Sequence, residues 1–117
     1  MIFDTTVLVD AIRGKTVFEG GSISIITLIE VLRGIDDTEK RKKMASLIKE
    51  AFEVIDVNKE ISESYLVLYF ELERKREASS DADELIAATA RSMGEILVTS
   101  DKGFRKFEPL IKVKLVS

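Results

Sequence analysis

A short acidic stretch, from Asp81 to Ala90, has the pattern of a helix whose apolar face carries a carboxylate. Four residues spaced i, i+3, i+4 and i+7 share one stripe that should face the interior: Asp83, Ile86, Ala87 and Ala90. A carboxylate on such a stripe costs free energy unless it is paired, hydrogen-bonded or bound to a cation. A simpler explanation is a helix start, with Ser80 or Asp81 as the N-cap and the acids stabilised by the helix dipole. Asp83 therefore becomes a candidate for chemistry only if other acids reach the same place.

Three further carboxylates are expected at the same place. Asp4 and Asp101 each follow a short apolar run, and Glu30 lies in the first turn of a predicted helix. The helix that carries Asp83 feeds the strand before Asp101, so its beginning should lie near the carboxyl end of that strand. Each acid also has a local explanation, because Asp4 and Asp101 suit caps or turns and Thr27-x-x-Glu30 fits a capping box.

The elements that must position these acids alternate between strand and helix. The predicted strands are Met1–Phe3, Ser22–Ile25, Glu53–Val57, Ile96–Val98 and Ile111–Val116. The predicted helices are Val7–Ile12, Thr27 to about Gly34, Thr38–Phe52, Asn58 to about Glu77, and Asp81 to about Gly94, with a short helical turn at Phe104–Phe107. This alternation predicts an α/β fold with a mainly parallel sheet, the first strand lying centrally. Ligands bind outside the carboxyl ends of such strands, so all four acids should converge on one edge.

The composition limits the chemistry. The 117 residues suit a single domain, residues 1–117, and the chain contains no cysteine and no histidine. Disulfides, thiolate zinc sites and the commonest general base are therefore excluded. Carboxylates, hydroxyls, Lys and Arg remain, and the metals that suit them are hard, oxygen-ligated ions such as Mg²⁺ or Mn²⁺.

Charge and hydropathy say less about partners. The net charge of −3 argues only weakly against a nucleic-acid partner, because acids concentrated in one site can mask basic surfaces elsewhere. No apolar run approaches the roughly 20 residues that span a membrane, and no signal segment opens the chain. We therefore expect a cytoplasmic protein with no membrane partner.

Four crowded carboxylates have one evident physical use. They repel one another, so some must be protonated or bound to a cation. One or two divalent ions held there would activate water and stabilise charge during phosphodiester hydrolysis. In-line attack would leave a 3′-hydroxyl and a 5′-phosphate. Thr99 and Ser100 are candidates for orienting a carboxylate or a water, although ordinary hydroxyls at a strand end are an equally good reading.

Four segments together resemble the PIN domain, specifically the VapC-type toxin ribonucleases of prokaryotic toxin–antitoxin pairs. They occur in the family's order across essentially the whole chain: Ile2–Asp10, Ser24–Leu32, Asp83–Ala90 and Leu97–Phe104. The resemblance implies a three-layer α/β/α sandwich and an endoribonuclease that depends on Mg²⁺ or Mn²⁺. It also implies an RNA substrate, a homodimer, and a cognate antitoxin that wraps the toxin and blocks its site.

Carried over residue by residue, the resemblance gives a catalytic quartet of Asp4, Glu30, Asp83 and Asp101. Asp4 and Asp83 are the expected direct metal ligands, with Asp101 and Glu30 completing the site directly or through water. Asp81 is a cap first and an auxiliary ligand second.

Two positions depart from the family's pattern. Thr6 stands where Asn or Ser is usual, which keeps a hydroxyl. Gly103 replaces a further Asp of many members, which puts a second metal ion in doubt.

Three alternatives remain open at this point. One is a PIN nuclease that serves RNA maturation, and another is a non-catalytic binding module. The third is a phosphoacceptor receiver domain, in which Asp4 would bind metal, Asp56 would accept phosphate, and Thr99 and Lys102 would assist. That reading leaves Glu30 and Asp83 without a role.

Overall fold

The sheet is built from five short parallel strands with the first strand at its centre. The computed structural model describes residues 1–15 and 20–116. The strands are β1 (Ile2–Phe3), β2 (Ser22–Ser24), β3 (Glu53–Ile55), β4 (Leu97–Thr99) and β5 (Val113–Leu115). Their order is β3-β2-β1-β4-β5, and every neighbouring pair is parallel. The predicted parallel sheet and the central position of its first strand are confirmed.

Helices connect these strands. They are α1 (Thr5–Ile12), α2 (Ile25–Leu32), α3 (Thr38–Ala51), α4 (Lys59–Lys75) and α5 (Asp81–Met93), and a 3₁₀ helix (Lys102–Phe107) follows β4. Each of the predicted helices is present, with boundaries that differ by a few residues. Within the described ranges, none of these helices has the length and apolar character needed to cross a membrane.

The two helices nearest the site begin earlier than the sequence predicted. The side chains of Asp4 and Ser24, which lie at the ends of β1 and β2, accept hydrogen bonds from the amides of Val7 and Ile26 and so cap α1 and α2. Strand passes into helix without a loop in both cases. The predicted Thr27-x-x-Glu30 capping box is therefore wrong, and Glu30 lies in the second turn of α2 rather than the first.

Two apolar clusters fill the two faces of the sheet. Successive residues of a strand point to opposite faces, and Ile2 joins one cluster while Phe3 joins the other. The first cluster draws on α4, α5 and the 3₁₀ helix, and the second on α1, α2 and α3. This arrangement confirms the predicted three-layer α/β/α sandwich.

The small side chains of α5 allow close packing between α4 and α5. Ala87 and Ala90 are fully buried and lie in the same cluster as Ile61 and Leu68 of α4. Asn58 caps α4, as predicted, and Ser80 rather than the alternative Asp81 caps α5; each accepts a hydrogen bond from the amide three residues later. Gly94, at φ 63°, ends α5 in the left-handed conformation that suits glycine.

The approach to β2 depends on a glycine that touches the ring of Phe3. Gly20 and Gly21 both have positive φ, 75° and 109°, but only at Gly21 would a Cβ atom overlap the Phe3 ring. We expect Gly21→Ala to lower the free energy of unfolding by about 1–3 kcal/mol more than Gly20→Ala, because overpacking against the ring adds to a backbone strain that is already larger at 109° than at 75°. Urea denaturation of both variants measures the difference. Equal losses would mean that the ring moves aside freely.

Candidate active site

The acids that follow β1 and β4 are neighbours because the two strands pair. The backbone amide of Asp4 donates to the carbonyl of Val98 at 3.1 Å. Asp4 is 1% exposed, and its extended backbone lets it end β1 and cap α1 at once. Asp101 caps the 3₁₀ helix after β4, accepting a 2.8 Å hydrogen bond from the amide of Gly103.

The carboxylate of Asp4 is enclosed by neutral hydrogen-bond donors. Oδ1 accepts from the Thr6 hydroxyl at 2.6 Å and from the Val7 amide at 3.1 Å, and Oδ2 accepts from the Thr99 hydroxyl at 2.5 Å. Burial raises the pKa of Asp4, and the charge of Asp101 adds to that effect, whereas the three hydrogen bonds oppose it. The net direction is upward, so ionised Asp4 is costly without a cation.

The loop after β4 reaches Asp4 through the same hydroxyls. The Ser100 amide donates to the Thr6 hydroxyl at 3.1 Å, and the Asp101 amide donates to the Thr99 hydroxyl at 2.9 Å. Ser100, singled out from the sequence for its hydroxyl, is thus tied to the site through its backbone. Thr6, noted from the sequence only as a departure from the family's usual Asn or Ser, connects Asp4 to this loop.

The Glu30 carboxylate is hydrogen-bonded to a threonine at the start of α1. Glu30 Oε1 accepts a 2.7 Å hydrogen bond from the Thr5 hydroxyl, and Oε2 lies 3.7 Å from the Arg33 guanidinium. The Thr5 hydroxyl also lies 3.3 Å from that of the buried Thr27. Sequence reasoning missed Thr5. The available signal was a pair of threonines directly after the first acid, at the start of a helix.

Asp83 lies in the first turn of α5, and two of the other acids affect its pKa. Its amide donates to Ser80 at 3.1 Å. Burial raises the pKa of Asp83, and the charges of Glu30 and Asp101 raise it further, while Lys106 lowers it. Asp83 is therefore coupled to Glu30 and Asp101, and Asp101 is coupled to Asp4. These pairwise effects connect Asp4 to Asp101, Asp101 to Asp83, and Asp83 to Glu30.

Lys106 is a functional candidate that the sequence did not separate from its basic neighbours. Its ammonium donates to the carbonyl of Ala78 at 2.9 Å, which ties the 3₁₀ helix to the loop before α5. The same charge acts on Asp83 and on the buried Glu84, lowering the pKa of each against the other influences. Lys106 thus supports the start of the helix that carries Asp83.

Asp81 has a different environment from Asp83. Ser80, not Asp81, is the N-cap of α5. The Asp81 carboxylate accepts a 2.7 Å hydrogen bond from the hydroxyl of Tyr65, which raises the pKa of Tyr65 to about 12. Asp81 therefore links α4 to α5, and the predicted capping role is corrected.

The donor set suits hard cations. Within residues 1–15 and 20–116, no three acidic side chains are grouped closely enough to hold an ion by themselves. Mg²⁺ usually binds through one or two carboxylates and keeps several waters, so this set fits an ion whose remaining ligands are water. All four acids offer oxygen only, and their mutual repulsion would be relieved by a divalent charge.

Comparison with known proteins identifies the family of this chain. The family model described as PIN domain matches residues 1–109. Ribonuclease VapC1 of Methanocaldococcus jannaschii is 34% identical over 112 residues, which cover 94% of this chain and 80% of that protein. The chain belongs to the PIN domain family. A receiver domain is thereby rejected, and Asp56 lies after the edge strand β3, two strands away from the acid that follows β1.

Solved structures place the chain more narrowly, beside VapC proteins. VapBC2 from Rickettsia felis, bound to a DNA fragment from its promoter, matches with a TM-score of 0.85 and 25% identity over the full length of both chains. DNA-bound VapBC from Salmonella typhimurium matches with a TM-score of 0.80 and 25% identity, covering 97% of this chain and 95% of that one. The fold is that of the VapC structures.

Neutralising Asp83 should stabilise the metal-free protein. Because the folded-state pKa of Asp83 is raised, wild-type stability falls as pH rises through the ordinary value of 3.8 and the folded value, a loss that Asp83→Asn avoids. We expect a gain of about 0.2–1 kcal/mol at pH 7, modest because the group is partly exposed, shrinking toward pH 4. Thermal unfolding in EDTA measures it.

Asp81→Asn is the matched control, since it removes a carboxylate from the same turn of α5. This variant should lose stability, because it weakens the hydrogen bond from Tyr65, whereas both variants lose a similar helix-dipole interaction. If both variants destabilised the protein equally, Asp83 would be an ordinary first-turn acid.

Proposed function

We propose that this protein is a divalent-metal-dependent endoribonuclease and the toxin of a type II toxin–antitoxin pair. The observation that carries the proposal is the placement of four acids in a PIN domain. Asp4 and Asp101 follow the paired strands β1 and β4, Glu30 is hydrogen-bonded to the residue after Asp4, and Asp83 lies in the first turn of α5, the helix that leads into β4. The relative named ribonuclease VapC1 supports RNA as the substrate. A cytoplasmic location, where RNA is met, belongs to the same proposal.

Asp4 and Asp83 would hold Mg²⁺ or Mn²⁺ directly, with Asp101 and Glu30 completing the site directly or through water. The bound ion would supply Lewis acidity and would lower the pKa of water. The chain's own part is to fix the acids, and the hydroxyls of Thr6 and Thr99 keep both oxygens of Asp4 in place. With no histidine in the chain, a carboxylate is the base that takes the proton of the attacking water. The products would carry a 3′-hydroxyl and a 5′-phosphate.

The loop after β4 has a glycine, Gly103, where many family members carry a further Asp, so a carboxylate that could hold a second ion is missing. Gly103 donates its amide to Asp101 Oδ1 at 2.8 Å, and a Cβ atom at this glycine would lie 3.0 Å from that oxygen. An acidic side chain at Gly103, the position of a further Asp in many members, would therefore crowd Asp101. We propose one divalent ion per chain.

An apolar groove between α1 and α3 is the proposed seat of the antitoxin. It is lined by Ala11, Ile12, Met44, Leu47 and Ile48, and the Leu47 side chain is 60% exposed. A groove of this kind suits the apolar face of an amphipathic segment. The structural relatives described as VapBC complexes support a partner of this class.

The outer face of α4 is the proposed homodimer interface. Leu66, Val67 and Phe70 lie on adjacent turns, and Phe70 is 65% exposed. A helix face of this kind can pair with the same face of a second copy about a two-fold axis, which buries both at once.

Cleavage of RNA tests the activity directly. We expect the protein to cut a mixed single-stranded RNA pool with Mn²⁺ or Mg²⁺, and EDTA to abolish cutting. Asp83→Asn should lower the rate by at least about 100-fold, as expected when a residue that supports a metal is lost. Asp56→Asn, an exposed acid at the end of β3, should cut like the wild type.

Three outcomes would contradict parts of this proposal. Equal rates for Asp83→Asn and the wild type would remove Asp83 from the site. Cutting that survives EDTA would remove the metal. A folded protein that neither cuts RNA nor binds a divalent ion by calorimetry would be a non-catalytic binding module.

A charge on α4 should break the dimer. We expect Phe70→Glu to convert a dimer to a folded monomer in light scattering, because a carboxylate would be buried against its own symmetry copy. Leu47→Glu is the matched control, since it puts the same charge on an equally exposed leucine of α3 and should leave the dimer intact. A dimer that survives Phe70→Glu would place the interface elsewhere.

A further inference from the structure

Two consecutive threonines at the start of α1 send their hydroxyls to two different acids. Successive side chains on a helix point about 100° apart. Thr5 contacts Glu30 of α2, and Thr6 contacts Asp4, the residue that caps the same helix. One dipeptide therefore contacts two carboxylates, one at the junction of β1 and α1 and the other on α2.

The Thr6 hydroxyl both donates and accepts a hydrogen bond. A hydroxyl has one proton and two lone pairs. The Ser100 amide donates to the Thr6 oxygen at 3.1 Å, and the Thr6 proton goes to Asp4 Oδ1 at 2.6 Å. The end of β4 is thereby tied to the acid at the end of β1. The backbone of Asp101, next in the chain, is placed by the same contact.

Thr5 fixes a longer and more mobile side chain. Glu30 has three side-chain torsions, and restricting them costs entropy that a specific contact must offset. The Thr5 hydroxyl supplies that contact at 2.7 Å, on the oxygen opposite the one facing Arg33. Arg33 is 71% exposed and pairs at only 3.7 Å, so Thr5 is the better-defined restraint.

We infer that Thr5 and Thr6 form a positioning pair that sets the relative placement of Glu30, Asp4 and Asp101, and hence divalent-ion affinity. The inference rests on the proposed function, because it treats these acids as the metal site. Neither threonine is a catalytic residue. Each acts through the acid, or the backbone, that its hydroxyl contacts.

Near-isosteric substitutions test the pair. Thr5→Val and Thr6→Val remove the hydroxyls and keep the shape, whereas Thr5→Ser and Thr6→Ser keep the hydroxyls. Thr89→Val is the matched control, because Thr89 is fully buried and its hydroxyl donates to the carbonyl of Leu85 within α5. Mn²⁺ affinity is measured by calorimetry on the full chain, and amide hydrogen exchange by NMR on the metal-free protein.

Removing either hydroxyl should weaken Mn²⁺ binding by about 10–100-fold, the usual cost of losing a residue that orients a metal ligand. The serine variants should stay within about threefold of the wild type, since they keep the charge-assisted hydrogen bond. Thr89→Val should change the melting temperature and leave Mn²⁺ affinity unchanged. Exchange at the Ser100 amide should accelerate in Thr6→Val and not in Thr6→Ser, because only the valine lacks the acceptor.

The outcomes separate the pair from the function. Wild-type affinity in both folded valine variants would overturn the pair and leave the proposed nuclease standing. Weak binding in the serine variants would also overturn it, because packing of the methyl group would then be the cause. The serine variants can overturn the inference in this way even if the valine variants fail to fold. A wild-type protein that binds no Mn²⁺ would overturn the proposed metal site and the pair together.

Discussion

The buried carboxylate of Asp4 is the constraint on which the rest of the site depends. A buried charge is tolerated only where donors surround it. Here those donors come from the first turn of α1, through Thr6 and Val7, and from the end of β4, through Thr99. Satisfying one acid thus fixes where α1 begins and holds the end of β4 beside that of β1.

Some acids of the candidate site stabilise the fold, whereas another is buried at a cost in stability. Asp4 caps α1 and Asp101 caps the 3₁₀ helix, so both acids stabilise local structure. Asp83 is not the cap of its helix, and burial together with the charges of Glu30 and Asp101 raises its pKa. Proteins keep such unfavourable arrangements mainly at functional sites.

The sequence predicted the architecture well because its signals are local and periodic. The Asn58 cap could be predicted from the sequence alone, and the cap of α5 was narrowed to Ser80 or Asp81. The start of α2 could not, because the β-branched Ile25 and Ile26 resemble a strand until Ser24 is seen to cap a helix. Glu30 was misplaced by one turn for that reason. Two partners of Thr5 and Thr6 could not be predicted either, since Glu30 on α2 and Ser100 after β4 are distant in the chain and their contacts depend on three-dimensional placement.

The choice of donors around Asp4 has an electrostatic consequence. Hydroxyls and an amide satisfy the carboxylate without cancelling its charge, whereas a lysine or arginine at the same place would neutralise it. The basic groups act instead on other acids of the candidate site, Arg33 beside Glu30 and Lys106 on Asp83. The centre of the edge therefore stays negative, and its rim carries positive charge. Under the proposed function, such a distribution of charge would attract a divalent cation to the middle and leave basic side chains around it to contact the phosphates of the RNA.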